Sequence, residues 1–339
     1  MTTHSIIGQD QAIELLEQAV AQNRLAPAYL LAGVEGVGRG LVAKYFIELL
    51  FGVGLDQSQR SALGKRLAAA NHPDVLWVQP TYLHQGNRIT AAEAVATGFK
   101  SKSPPMIRLE QVREVTDFLS RSPLVATRKV VVLEQAETMP EVAANALLKT
   151  LEEPGKATII LIARADTALL STIVSRCQKI TLRRLNLQEM ELILRQQNHL
   201  EILQNPVILS LAQGSPGLAI AAWQQLQAMP PEIIEKINQL PTKPLQTLSL
   251  ARDLDKTLDI EQQLWLTEYL QHHYWHSHYD SNKSNNKLTN HLNNQAINHA
   301  YIDCLEKAKK HLLGYVQPRL VWEVTLLKLQ DLNTPKIYS

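Results

Sequence analysis

The residues of this chain that could do chemistry fall in three short stretches. The first is Gly33-Val34-Glu35-Gly36-Val37-Gly38-Arg39-Gly40. It follows a short apolar run, residues 28–32, and precedes a segment with Leu41, Val42, Tyr45, Phe46, Leu49 and Leu50 at helical spacing. Strand, glycine-rich turn and helix is the setting in which backbone N–H groups cradle a phosphate at a helix N-terminus. Gly33 and Gly38 have the P-loop spacing, but that motif goes on to Lys-Ser/Thr, and here Arg39-Gly40 stands instead. Arg39 keeps the positive charge on a planar fork that does not replace lysine's point charge. Gly40 has no hydroxyl to hold the Mg²⁺ that bridges terminal phosphates. The stretch reads as an eroded phosphate loop, with a plain strand-to-helix turn as the weaker reading.

The second stretch is Glu134-Gln135, directly after the apolar run 130–133. Acidic residues at the carboxyl end of a parallel strand sit where open α/β sheets bind ligands. In a P-loop ATPase the first acid holds Mg²⁺ and the next position orients the attacking water. Gln135 is an amide and takes up no proton at neutral pH, so it is no general base. The third stretch is Ser175-Arg176-Cys177, after a short helical segment and before a strand at 178–182. An arginine at such a corner is most often a surface charge; it could also reach a neighbour's phosphate.

The elements that must position these residues follow from periodicity. Residues 130–133 and 158–163 are continuous apolar runs separated by a helix that ends at Pro154-Gly155, so they read as neighbouring strands of a buried parallel sheet. Residues 10–22 form an amphipathic helix through Ile13, Leu16, Ala19 and Val20, with Asp10 as N-cap. His72-Pro73-Asp74 leads into a strand at 75–78, and residues 80–105 read as a polar surface excursion. Leu109, Val112, Val115 and Phe118 mark a further helix. Beyond Arg183-Arg184 the pattern is helical: 188–197, 207–213 and 218–227 suit a small lid, and the prolines at 230, 231, 241 and 244 mark the next boundary. From residue 245 everything reads as helix, interrupted by an Asn-rich low-complexity loop at 277–299. The domains are therefore expected at 1–184 (α/β core), 185–240 (three-helix lid) and 245–339 (helical collar).

Composition narrows the class. With 45% apolar and 19% charged residues, the 339-residue chain is globular, and a formal charge of +2 makes it no general polyanion trap. Cys177 and Cys304 cannot build a disulfide framework or a four-cysteine zinc site. His272 and His276 are an i,i+4 pair without the acidic partner of a zincin helix, and a polar helix end is the preferred reading. No apolar run reaches membrane-spanning length and the N-terminus carries no secretory h-region, so a reduced, cytoplasmic protein is expected.

With these residues on the page, the chain resembles the delta-prime subunits of bacterial DNA polymerase III clamp loaders, in the AAA+ superfamily. The markers are the segment 145–154, which reads Asn-Ala-Leu-Leu-Lys-Thr-Leu-Glu-Glu-Pro, together with Ser175-Arg176-Cys177 and His72-Pro73-Asp74. The resemblance implies an AAA+ P-loop-type α/β core with a parallel sheet, a helical lid and an all-α collar for assembly. It places an arginine finger, offered in trans, on Arg176. It makes Gly33, Gly36, Gly38 and Arg39 a degenerate phosphate loop, and Glu134 and Gln135 a degenerate acidic strand end. The implied role is in DNA replication: a non-hydrolysing stator within the polymerase holoenzyme, contacting delta and gamma/tau subunits while the complex opens a sliding clamp on primed DNA. Gly40, Gln135 and Gly217 side with delta-prime rather than with a motor subunit, whose Gly-Ser motif ends in a phosphate-sensing arginine where Gly214-Ser215-Pro216-Gly217 has none. Many relatives carry a four-cysteine zinc module after the P-loop helix; residues 50–75 hold no cysteine, so no cofactor is expected. The alternatives are an ATP-hydrolysing gamma/tau-type motor subunit and an AAA+-derived DNA-binding module outside the loader.

Overall fold

Alternate residues of each central strand serve opposite cores. Tyr29, Leu31, Val130, Val132, Ile160 and Ile162 pack with Leu16, Val42 and Phe46 on one side of the sheet. Leu30, Val131, Leu133, Ile159 and Leu161 pack with Val112, Val115, Leu147 and Leu151 on the other. Period-two side chains buried on both faces are why these strands read as unbroken apolar runs. Each such aliphatic side chain contributes about 1.5–3 kcal/mol on burial.

The computed structural model describes residues 6–99, 101, 103–284 and 288–333. The chain divides into two units, Met1–Ile193 and Leu194–Ser339. The first runs α1 (Asp10–Ala21), β1 (Ala28–Ala32), α2 (Arg39–Phe51), α3 (Gln57–Ala68), β2 (Val75–Val78), β3 (Thr81–His84), β4 (Asn87–Thr90), α4 (Ala91–Ala96), α5 (Leu109–Ser120), β5 (Lys129–Leu133), α6 (Glu141–Glu152), β6 (Ala157–Ala163), α7 (Ser171–Val174) and β7 (Gln178–Thr181). α8 (Leu187–Gln196) crosses the division.

The main sheet has the order β2-β5-β6-β1-β7, and every pairing in it is parallel. β5 and β6 are neighbours, Lys129 opposite Ala157 through Leu133 opposite Leu161, as their apolar runs predict. β6 also separates the strand that feeds the glycine-rich loop, β1, from the strand that ends in Glu134. At the start of α1 the N-cap is Gln9 rather than Asp10, and Asp10 is the first helical residue. The polar excursion contains an antiparallel hairpin, β3 against β4, and returns to the body through backbone hydrogen bonds between Thr81 and Met106. Asp74, fully buried, accepts the backbone N–H groups of Leu124, Val125 and Ala126 at 2.7, 2.7 and 2.8 Å, fixing the loop before β5. Burial alone would raise its pKa, but these three hydrogen bonds hold the carboxyl below the usual carboxylate range. His72 is buried too: its Nδ1 accepts the Asp74 N–H at 3.2 Å.

The second unit is helical: α9 (Pro206–Ala212), α10 (Pro216–Ala228), α11 (Pro231–Asn238), α12 (Pro244–Thr257), α13 (Ile260–Ser284), α14 (Leu288–Leu313) and α15 (Pro318–Asn333). The prolines stand between helices and open the next ones: Pro231 and Pro244 lie in the first turn, where the missing N–H is no loss, and α11 between them joins the three expected helices. The Asn-rich loop expected at 277–299 is mostly helix, with α13 reaching Ser284 and α14 starting at Leu288; residues 285–287 lie outside the described residues. Asparagine costs only tenths of a kcal/mol per residue against better helix formers, too little to stop helices already nucleated on both sides. The lid helices also share a unit with the collar helices: α9 packs on α13, and Ser210 Oγ lies 2.7 Å from His272 Nδ1. Within the collar, Trp322, fully buried, donates from Nε1 to Gln263 Oε1 at 2.9 Å, and Tyr274 stacks on Tyr301.

Candidate functional site: an eroded phosphate loop and an arginine corner

The glycine-rich loop joins β1 to α2, as the sequence predicts. A Cβ on Gly33 would fall 2.8 Å from the Leu182 carbonyl oxygen, so only glycine fits there. Gly38 caps α2 at φ 101°, a left-handed conformation that favours glycine. Gly40 is different. A Cβ there would meet nothing closer than Glu134 Oε1 at 3.7 Å, an ordinary contact. Packing does not require glycine at 40, and a serine would fit. Gln9 laces the loop to the chain beyond the core: its Nε2 donates to Arg183 O at 2.9 Å and to Val37 O at 3.4 Å.

Arg39 is only 7% exposed, and its Nη1 has no hydrogen-bond partner among the described residues. Burial pushes its pKa down, against the nearby carboxylates of Glu137 and Glu35, which push it up. Glu134 Oε2 accepts from Gln79 Nε2 at 2.7 Å. Gln135, in a left-handed backbone conformation at φ 48°, starts a short turn of helix over Ala136–Thr138. A residue that the motif search passes over completes the group. Arg164, the first residue after β6, pairs with Glu35 Oε2 at 3.3 Å and faces Glu137 Oε1 at 3.5 Å. The rule that singled out Glu134, position at the carboxyl end of a parallel strand, applies equally to Arg164. Around the loop, Arg39 and Arg164 are thus set among Glu35, Glu134 and Glu137. Neither a hydroxyl at 40 nor a base at 135 is present. Among the described residues no group of three His, Cys, Asp or Glu side chains is placed to hold a metal ion. His272, one half of the i,i+4 histidine pair, is engaged with Ser210.

The arginine corner lies at the end of α7, where Ser175 is the C-cap and the Arg176 N–H donates to Ile173 O at 3.1 Å. The Arg176 side chain is 36% exposed, as the corner position predicts, and it is also paired locally. Nε and Nη2 both donate to Glu152 Oε1, at 2.9 and 2.6 Å, and Nη1 donates to Thr172 O at 2.9 Å. Beside it, burial raises the Cys177 thiol to about 11, so it stays protonated at neutral pH. In the helical unit, Ser215 caps α10 by accepting the Leu218 N–H, and Gly217 sits in the first turn, where no side chain is available to sense a phosphate.

A parallel sheet with β6 inserted between the loop strand and the acidic strand, followed by a helical region, is a P-loop-type fold of the AAA+ kind. A DNA polymerase III gamma-subunit-related protein from Thermotoga maritima shares this fold, with a TM-score of 0.53 and 17% identity, over 94% of this chain and 99% of its own. The family model described as DNA polymerase III, delta subunit, matches residues 8–186. A second, described as cyanobacterial DNA polymerase III delta prime, C-terminal domain, matches residues 188–329. The chain belongs to this family of DNA polymerase III subunits, in its delta-prime branch. It is 33% identical over 177 residues to DNA polymerase III subunit delta' of Bacillus subtilis, covering 51% of this chain and 46% of the relative. With subunit delta' of Pseudomonas aeruginosa it shares 35% identity over 162 residues, covering 45% and 42%. The match to subunit tau/gamma of Haemophilus influenzae is 28% over 224 residues, covering 64% of this chain and 29% of that one. The matched segments thus span less than half the length of each of these curated relatives. No helix among the described residues is long and apolar enough to cross a membrane.

Proposed function

We propose that this chain is the stator of a cytoplasmic sliding-clamp loader in DNA replication: a delta-prime subunit that hydrolyses no ATP itself. It joins delta and gamma/tau subunits while the complex opens a clamp and places it on primed DNA. The observation that carries this reading is the erosion of phosphate chemistry at Gly40 and Gln135 within a chain matched from residue 8 to 329 by the models of one subunit family. Phosphoryl transfer depends on positioning and charge neutralisation. This loop keeps the glycines that shape it and lacks the hydroxyl that would hold the metal. Arg176 supplies what the loop does not. Its half-exposed guanidinium reaches the γ-phosphate of ATP bound by a neighbouring motor subunit, where it offsets the charge that grows on the phosphoryl oxygens in the transition state. The likeness to a tau/gamma subunit favours a motor reading only at the level of fold, since Gly40, Gln135 and Gly217 depart from what a motor needs.

The test is reconstitution. The full chain is combined with delta and gamma/tau subunits from the same organism, and DNA-stimulated ATP hydrolysis and clamp loading are measured. Both should require this chain. Full activity without it, or no association with those subunits, would reject the stator role.

A further inference from the structure

The neighbours of Arg176 do more than neutralise it. A guanidinium carries five N–H donors in a rigid plane. Here one edge, Nε–H and Nη2–H, is bound to a single oxygen, Glu152 Oε1, and one Nη1–H goes to Thr172 O. Two N–H donors are left over, one on each terminal nitrogen, and two phosphate oxygens are spaced to accept from both. The anchors themselves are fixed. Glu152 is the last residue of α6, directly after Leu151, which is 1% exposed in the core. Thr172 belongs to α7, next to the fully buried Ile173. Without them a long, half-exposed side chain would spread over many rotamers, and a misplaced catalytic group forfeits rate.

We propose that Glu152 is a positioning residue for the arginine finger: it grips the inner edge of the Arg176 guanidinium so that the terminal nitrogens stay aimed outward, and it remains bound while they engage a neighbouring subunit's γ-phosphate. This inference rests on the reading of Arg176 as a donor in trans. Glu152 touches no substrate; it acts through Arg176. It is not a competitor that must let go, because it takes Nε–H and only one of the two Nη2–H donors, and the other Nη2–H is left for phosphate.

A double-mutant cycle in the reconstituted loader tests this, with Glu152→Ala, Arg176→Ala and the double variant in the full-length chain. Glu152→Ala should lower kcat for DNA-stimulated ATP hydrolysis severalfold and leave KM for ATP unchanged, because the motor's own loop binds the nucleotide. The double variant should be no slower than Arg176→Ala alone, since two residues acting as one unit are not additive. Glu152→Gln, which keeps an acceptor oxygen and nearly the same volume, should recover most of the rate, and Glu152→Leu, which removes the acceptor, replaces the alanine variant in the cycle if that folds poorly. If Arg176→Ala slows the motor while Glu152→Ala runs at or above the wild-type rate, the positioning role is overturned and the finger stands. If the two losses add, Glu152 acts elsewhere and the proposal fails. If Arg176→Ala itself has no effect, the finger and its positioning residue fall together.

Discussion

Replacing Arg176 by alanine separates a surface ion pair from a contact with a neighbour's phosphate, because the two roles predict different sizes of effect on different quantities. The Arg176 and Glu152 side chains are 36% and 50% exposed, so solvent screens the pair. Pairs of this kind are worth about 0–1 kcal/mol. The bond to the Thr172 carbonyl adds about 0.5–1 kcal/mol, less whatever water returns when that oxygen is exposed. The total loss is about 0.5–2 kcal/mol. For a unit the size of Met1–Ile193, each kcal/mol moves Tm by about 2–4 °C, so the shift should lie within about 1–8 °C. Raising salt from about 0.05 to about 0.5 M should shrink it, since exposed charges are screened over a Debye length. The hydrolytic effect is of another order. A finger supplied in trans can be worth about 10³ or more at the site it serves. In the proposed loader, with several ATP sites and one of them facing this chain, the bulk rate should fall in part while the burst at the facing site is lost. Circular-dichroism melts at both salt levels, with complex ATPase measured on the same preparation, decide the matter. Unchanged complex ATPase together with a lowered Tm would refute the finger and leave Arg176 a local ion pair.

Three further outcomes follow from the geometry. The isolated chain should show no steady-state ATPase above background, and Gly40→Ser should fold normally, since its Cβ has room, yet stay inactive because Gln135 supplies no base; turnover near ~1 s⁻¹ would contradict this. Asp74→Asn should cost roughly 2–3 kcal/mol in denaturant unfolding, because an amide NH₂ turns a donor toward backbone N–H groups that are then unpaired. The lowered Asp74 pKa gives stability that is present above the unfolded carboxyl's pKa and lost as pH falls through the folded value, so the wild-type chain should lose this advantage over Asp74→Asn in acid. A truncation ending at residue 197 should stay folded and fail to join the partner subunits, whereas one ending at 240 should aggregate or melt early, since it strips α13 from α9; equal stability of the two would count against the packing described here.

How much of this was legible beforehand depended on range. The paired runs 130–133 and 158–163 announced adjacent parallel strands because both faces are buried, and that signal survives in any single sequence. The loop, the acidic strand end and the corner were visible as motifs. Arg164 stands at the end of such a run too, but its pairing with Glu35 depends on β6 lying beside β1, an order that no local pattern encodes. Glu152 was in plain view as part of the 145–154 segment, but its partner lies twenty-four positions on, and only the fold brings α6 beside α7. In the helical half the Asn-rich stretch reads as a loop, but asparagine between nucleated helices breaks nothing, so most of 277–299 is helix.

The pattern of what differs from an ATP-binding loop is itself informative. Gly33 is held by the Leu182 carbonyl and Gly38 by its left-handed backbone, so these glycines would be needed for the strand-to-helix turn whether or not phosphate ever bound. The space beside Gly40 is open, and an acid in place of Gln135 would keep the side chain's size while changing its chemistry. The glycines that hold the loop's shape fit the motif, and the departure at Gly40 falls where packing does not set the residue type. Arg176 lies apart from that division. Its fork is anchored from two elements, and each terminal nitrogen keeps one N–H that these bonds do not use, which is what the proposed contact with another subunit's phosphate requires.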